Sequence, residues 1–198
     1  MSSSGAVPLY TEPTRRELSE RQARTVQRLA DAAVAELRAR GYDALTVRNV
    51  ARRAGVAPAT AYTYFTSREH LVTEVFWRRL LGLGDPRVDR RRAAAARVSE
   101  ALADVLLLVA DEPELAAACT VAMLATDPDV KHLRDRIGQQ LHRRIVSALG
   151  EASDPKAVQA LEFAVAGALV QAGAGHLAYH ELPEIIAGVA GLLFGSRP

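Results

Sequence analysis

Residues 46–65 read Thr-Val-Arg-Asn-Val-Ala-Arg-Arg-Ala-Gly-Val-Ala-Pro-Ala-Thr-Ala-Tyr-Thr-Tyr-Phe, and within this span the chain must start a helix, stop it and start another. Thr46 is a good N-cap, Val47, Val50, Ala51 and Ala54 form an apolar stripe two turns long, and Gly55 ends it. Pro58 then stands at a natural first helical position, and a second short helix runs to about Tyr64. Helices this short are marginal alone and must pack on their neighbours. Two of them joined by a glycine turn form a helix-turn-helix.

The flanking sequence is helical as well. From Arg16 to about Arg40, Val26, Leu29, Ala30, Ala33 and Leu37 recur at three- and four-residue steps, and Gly41 closes the run. Ser67 caps a further helix whose stripe is Leu71, Val72, Val75, Phe76 and Leu80; His70 stands where a capping box would want Glu or Gln. The stretch Gly82-Leu-Gly-Asp-Pro86 is the strongest boundary signal. Beyond it the punctuation by Pro113, Pro128, Gly150 with Pro155, and Pro183 predicts helices over 88–110, 113–126, 129–149, 156–181 and 183–195. No strand pattern and no internal repeat is visible. The expected fold is all-α: a tail over 1–15, a three-helix domain with the helix-turn-helix over 16–82, and a second helical domain over 83–198.

The chain has 198 residues, 49% of them hydrophobic and 24% charged, enough to bury a core without disulfides or metal. One cysteine, Cys119, forms no intramolecular bridge and fits a reducing compartment, so a cytoplasmic address is expected. Residues 1–15 lack the apolar core of a secretory signal and read as a disordered tail. The longest uncharged stretch, Phe163 to His180, is half Ala and Gly and reads as a buried helix, not a membrane span. Charge is uneven: residues 1–92 hold 17 Arg against 10 acids, net +7, and residues 93–198 are net −5. The N-terminal half is therefore the candidate for a polyanion partner.

A helix-turn-helix reads DNA by laying its second helix in the major groove. Pro58-Ala59-Thr60-Ala61-Tyr62-Thr63-Tyr64 is suited to this role, because small residues permit close approach, Thr60 and Thr63 carry a hydroxyl and a methyl, and tyrosine hydroxyls can reach phosphates. Ala61 and Phe65 face the core. Gly41-Tyr42, Thr46-Val47-Arg48, Val50-Ala51, Ala54-Gly55-Val56, Thr60, Tyr62, Tyr64-Phe65, Ser67-Arg68-Glu69 and Leu71 together resemble the N-terminal domain of a TetR-type transcriptional regulator, over about Arg16 to Leu81. The resemblance implies an all-helical homodimer on a palindromic operator in double-stranded DNA, with a divergent C-terminal domain whose small-molecule inducer releases the DNA. It further implies that Thr46 and Arg48 touch phosphates, that Ala57, Pro58, Ala59, Thr60 and Thr63 face base edges, and that Tyr62, Tyr64 and Arg68 grip the backbone. Three departures bear on operator sequence. Ala57 stands where a capping Ser is common, Ala61 replaces a larger aliphatic, and Arg68 replaces a common Lys. Arg15 and Arg16 read as tail or as a minor-groove arm, and Arg90 to Arg92 as a solvated helix start.

On the 156–181 helix, Leu161, Val165, Leu169, Ala172, His176 and Tyr179 share one arc, and Ala164, Gly167, Gln171, Ala174, Gly175 and Ala178 an opposite arc of small residues. The small arc, with Leu192 and Leu193 of the last helix, is the expected dimer interface. Ligand-pocket candidates are the apolar Leu106, Val109, Met123, Leu124, Leu141, Ile145 and Leu169, with Thr120, His142 and His176 as polar anchors; each is also readable as plain core. His176 and His180 stand four apart but lack a zinc-helix pattern, so no metal and no cofactor is expected. An enzyme has no Ser/His/Asp set or phosphate loop to carry it, and a helical interaction protein is the remaining rival. The expectation is a repressor released by a small apolar or amphipathic ligand.

Overall fold

Local end signals set most of the helix boundaries in the structure, a computed structural model that describes residues 19–195 apart from the side chain of Ala152. The expected tail, Arg15, Arg16 and the start of the expected first helix lie outside the described residues. Ser19 and Gln22 form a capping box at the head of α1 (Glu20–Arg40), and Gly41 stops it at φ 74°. Thr46 accepts from the backbone N–H of Asn49 to begin α2 (Val47–Arg53), and Pro58 at the first turn begins α3 (Pro58–Tyr64). Ser67 accepts from the His70 N–H at the head of α4 (Arg68–Gly82). There follow α5 (Ala94–Leu106), α6 (Pro113–Met123), α7 (Pro128–Leu149), α8 (Pro155–Gly173) and α9 (Leu182–Phe194), with single 3-10 turns at Gly150–Ala152 and Tyr179–Glu181. Among the described residues there is no strand, and the fold is all-α.

Three helices are shorter than their sequence suggests: the expected 113–126 helix ends at Met123, and two others lose more. The expected 88–110 helix is confined to α5. Before it, the Asp89 carboxylate and carbonyl accept from the N–H groups of Arg91 and Arg92; after it, Leu107 to Glu112 close as successive turns. The expected 156–181 helix ends at Gly173. Gly175, at φ 81°, donates to the Ala172 carbonyl while His176 donates to that of Gln171, a Schellman closure that satisfies the last carbonyls and turns the chain away. Ala174, Gly175, His176, Ala178 and Tyr179 are therefore not helical residues of one face, and His176 and His180 do not share a helix.

Every stripe residue named on α1 and α4 is buried. The apolar side chains form two clusters. One joins α1 to α4 with all the buried residues of α6, the end of α5 and Leu133. The other joins α5, the C-terminal half of α7, α8 and α9. Thus α6, which lies beyond the sequence boundary at Gly82–Pro86, shares its core with the helix-turn-helix. Arg144, buried on α7, donates to the Gly84 carbonyl and ties the boundary segment down. No helix among the described residues is long and apolar enough to cross a membrane.

Candidate nucleic-acid interface

The first three helices hold α3 out into solvent on a rigid base. Ala61, Tyr64 and Phe65 are buried beneath it. On α1, Glu36 is 2% exposed and receives Arg53 Nε from the end of α2 at 2.6 Å, which fixes α2 against α1. Gly55, at φ 63°, makes the turn between α2 and α3, a backbone state that favours glycine.

On this base Ala57, Pro58, Ala59, Thr60, Tyr62 and Thr63 are all exposed, with Thr46 and Arg48 at the head of α2. Ala57 sits at the N-cap of α3 with no side-chain bond, so Pro58 sets the helix start, as the departure from a capping Ser implies. Thr46, Tyr62 and Arg68 line one cleft of about 290 Å³ together with Ser67 and Glu69. Arg68 is held in place: Nε donates to Glu69 at 2.9 Å, Nη1 to the Tyr42 carbonyl at 3.2 Å, and its guanidinium stacks 4.4 Å from the Tyr42 ring centre. Burial, then the Glu69 charge, pushes the Tyr42 phenol up to about 12, so it stays protonated and donates to Glu69. Tyr64 stands apart from the other expected backbone contacts. Tyr64 is only 8% exposed and shares the buried face of α3 with Ala61, three residues before it, so its ring belongs to the core.

Sequence reasoning missed how this base is tied to the rest of the molecule. The Ser67 hydroxyl, while capping α4, donates to Asp127 Oδ2 at 2.8 Å, and the Thr66 hydroxyl donates to Asp129 Oδ2 at 3.0 Å. His70 Nδ1 lies 3.7 Å from the same Asp129 oxygen. The Asp127 carboxyl is held below the usual range: burial opposes this, but the Ser67 hydroxyl and the N–H groups of Asp129 and Val130 outweigh it. At the head of α6, Glu112 pairs with Arg38 of α1 at 2.7 Å and with Arg79 of α4. Acids at the head of α6 and at the head of α7 thus clip these two helices to α4. A pair of acids flanking a proline at 127–129 reads in sequence only as a cap, which it also is.

Of the ten pocket candidates, the structure gathers Leu141 and His142 at an open groove of about 570 Å³ between α7 and α8, with Gly138, Glu162, Phe163 and Ala166. Glu162 meets His142 Nδ1 at 2.8 Å across it. Leu106, Val109 and Ile145 are close-packed core. Thr120, Met123 and Leu169 are half-buried, His176 is exposed, and Leu124 is 68% exposed. Of the interface candidates, Gly167, Gln171, Ala174, Gly175 and Leu192 are exposed, while Ala164, Ala178 and Leu193 are half-buried. Beside them the bulky Phe163, Val170 and Ile185, which lie outside the expected interface, are also exposed. Phe163 and Val170 stand seven apart, a helical repeat that could have marked them. Burial pushes the Cys119 thiol up to about 12, so it carries no thiolate at neutral pH. Among the described residues no group of three His, Cys, Asp or Glu could hold a metal ion.

Residues 29–75 match the profile of bacterial regulatory proteins of the tetR family. The chain is 48% identical over 190 residues, 92% of its length and 87% of the relative's, to the uncharacterized HTH-type transcriptional regulator Rv0767c of Mycobacterium tuberculosis. It is 30% identical over 129 residues, 62% of its length and 58% of the relative's, to the HTH-type transcriptional repressor KstR of Rhodococcus jostii. Its fold is similar to that of the transcriptional regulator FadR from Bacillus subtilis in complex with stearoyl-CoA, with a TM-score of 0.57 and 18% identity over 86% of this chain and 99% of that one.

Proposed function

The chain belongs to the TetR family of bacterial regulatory proteins, and from that premise we propose that it is a homodimeric repressor that binds a palindromic operator and releases it when a small apolar or amphipathic effector binds. The observation that carries the reading is the exposed, uncharged face of α3 beside the cleft of Thr46, Tyr62 and Arg68: a groove-facing surface next to phosphate-facing donors. Residues 16–82 form the DNA-binding unit and residues 83–198 the effector and dimerisation unit, with α6 the helix through which the second acts on the first. The effector's chemistry is supported by the groove between α7 and α8, which Leu141 and Ala166 line with apolar surface and His142 and Glu162 with polar groups. It is supported also by the likeness in fold to a regulator solved with an acyl-CoA. A repressor rather than an activator agrees with the similarity to KstR, and DNA as partner puts its action in the cytoplasm.

The test is selection of duplexes from a random pool by the purified full chain, followed by anisotropy titrations over a salt series. A two-fold symmetric consensus bound far more tightly than random duplex is expected. Binding that ignores sequence, or that does not weaken with salt, rejects the reading.

A further inference from the structure

The residues α3 offers to DNA are unusual in their chemistry. The segment Pro58–Tyr64 has no Arg, Lys, Asn, Gln, Asp or Glu, so it lacks every side chain that makes a paired hydrogen bond to guanine or adenine, or accepts from cytosine. With its N-cap it exposes methyl and methylene on Ala57, Pro58, Ala59, Thr60 and Thr63, and the hydroxyls of Thr60 and Tyr62. The Thr63 hydroxyl turns back to donate to the Thr60 carbonyl at 2.7 Å, so the outward part of this side chain is its methyl group. The neighbouring amide is engaged too. Asn49 donates from Nδ2 to the Ala44 carbonyl at 3.1 Å, and its Oδ1 accepts from Arg52 at 3.2 Å. Arg53 and Arg68 are held by Glu36 and Glu69. Side chains that make paired hydrogen bonds to a base are thus absent from α3, and Asn49, Arg53 and Arg68 beside it are engaged.

One base in the major groove offers a partner for such a surface: thymine, through its 5-methyl group. We propose that α3 selects its operator through thymine methyls, with Thr63 the residue that covers one of them in each half-site. The inference rests on the regulator reading above and deepens it, since Tyr62, Thr46 and Arg68 position the helix on phosphates while the apolar face discriminates. Covering one methyl is worth about fourfold in affinity, and about fifteenfold when both halves of a symmetric site contribute.

The experiment uses the full chain and the duplex it selects from a random pool, remade with single thymines replaced symmetrically by deoxyuridine, which removes only the methyl. Wild type is expected to lose about fifteenfold at one thymine position per half-site. Thr63→Val, which keeps the methyl and drops the hydroxyl, keeps that penalty. Thr63→Ser, which keeps the hydroxyl and drops the methyl, binds the thymine and uridine duplexes alike. Thermal melts of each variant confirm that the helices are intact. Equal binding of the two duplexes by wild type overturns the proposal, as does a Thr63→Ser protein that keeps the penalty. If the pool yields no preferred duplex, the regulator reading itself fails and takes this one with it.

Discussion

Tyr62 and Tyr64 stand two residues apart, about 200° around a helix, so a two-turn element cannot present both to the same partner. Tyr62 is 48% exposed beside the cleft of Thr46 and Arg68, while Tyr64 lies in the core. Tyr62→Ala is therefore expected to weaken every duplex alike without changing the salt slope, because its hydroxyl is neutral. Arg68→Ala should weaken them and lower the slope by about one. Tyr64→Phe should leave titrations unchanged, whereas Tyr64→Ala should destabilise the fold by about 3–5 kcal/mol, read by denaturant melts. A second residue-scale prediction concerns Glu74 and Arg78, buried together on α4 with Nε 2.8 Å from Oε1. Burial pushes the Glu74 carboxyl from its ordinary 4.5 up to about 7, despite the opposing arginine. A folded-state value above the unfolded one gives stability that is complete below the unfolded value and is lost as the pH rises through the folded one. Glu74→Gln should accordingly gain on the wild type between pH 5 and pH 8 in urea melts; a gap that does not move with pH would mean that Arg78 keeps the carboxylate ionised throughout.

Among elements, α6 holds a particular position because it shares a core with the helix-turn-helix, is clipped to α4 at its head through Glu112, and is followed by the head of α7, where Asp127 and Asp129 clip to the start of α4. A helix held in this way moves with its neighbour, so a displacement of α6 reaches the start of α4 and the recognition helix just before it. Asp127→Ala removes the acceptor from Ser67 and the N-cap of α7 but leaves the Ser67 cap on α4 intact. The expected result is faster amide exchange over 63–70 and operator affinity reduced by about 5- to 30-fold, with an unchanged salt slope, if about 1–2 kcal/mol of the lost bonding reaches the recognition helix. Unaltered exchange there would mean that the clip is decorative. The same elements show what a sequence makes legible. The bounds of α2 and α3 could be read because Thr46, Gly55 and Pro58 act locally, each through a backbone group it satisfies or a torsion it permits. The ends of α5 carry no such residue: Leu106 to Glu112 turn under tertiary packing, which periodicity does not register. Gly173-Ala174-Gly175 was legible but ambiguous, since small residues serve both as a close-packing face and as a helix stop, and here the positive φ of Gly175 makes them the stop. The clips were illegible for another reason, since they join residues far apart in the chain, 60 positions for Ser67 with Asp127 and 74 for Arg38 with Glu112.

For the whole molecule, charge and apolar exposure divide the labour. The half with net +7 carries the exposed face of α3, and the half with net −5 carries α8 and α9. On those two helices Phe163 is 70% exposed, Leu192 is 89% exposed, and Val170 and Ile185 are also exposed, bulky residues that a soluble monomer leaves in water only singly. A second copy related by a two-fold axis would cover them and set two α3 helices to read half-sites about 34 Å apart. The early termination of α8 moves the centre of that proposed interface from Ala174 and Ala178 to Phe163, Gly167 and Leu192. Phe163→Arg with Leu192→Arg would place charge in a closely packed, desolvated surface on each copy. Because both residues are exposed in the single chain, the helices themselves should fold and their circular dichroism should match the wild type. Sedimentation is expected to give a monomer, and operator affinity should fall by about 100-fold or more, since the second half-site is then no longer captured intramolecularly. Ala174→Arg, on the turn beyond α8, should disturb assembly much less. A wild-type monomer at micromolar concentration, or a dimer that survives both arginines, would show that α8 and α9 do not join the two copies and that palindromic reading must be assembled in some other way.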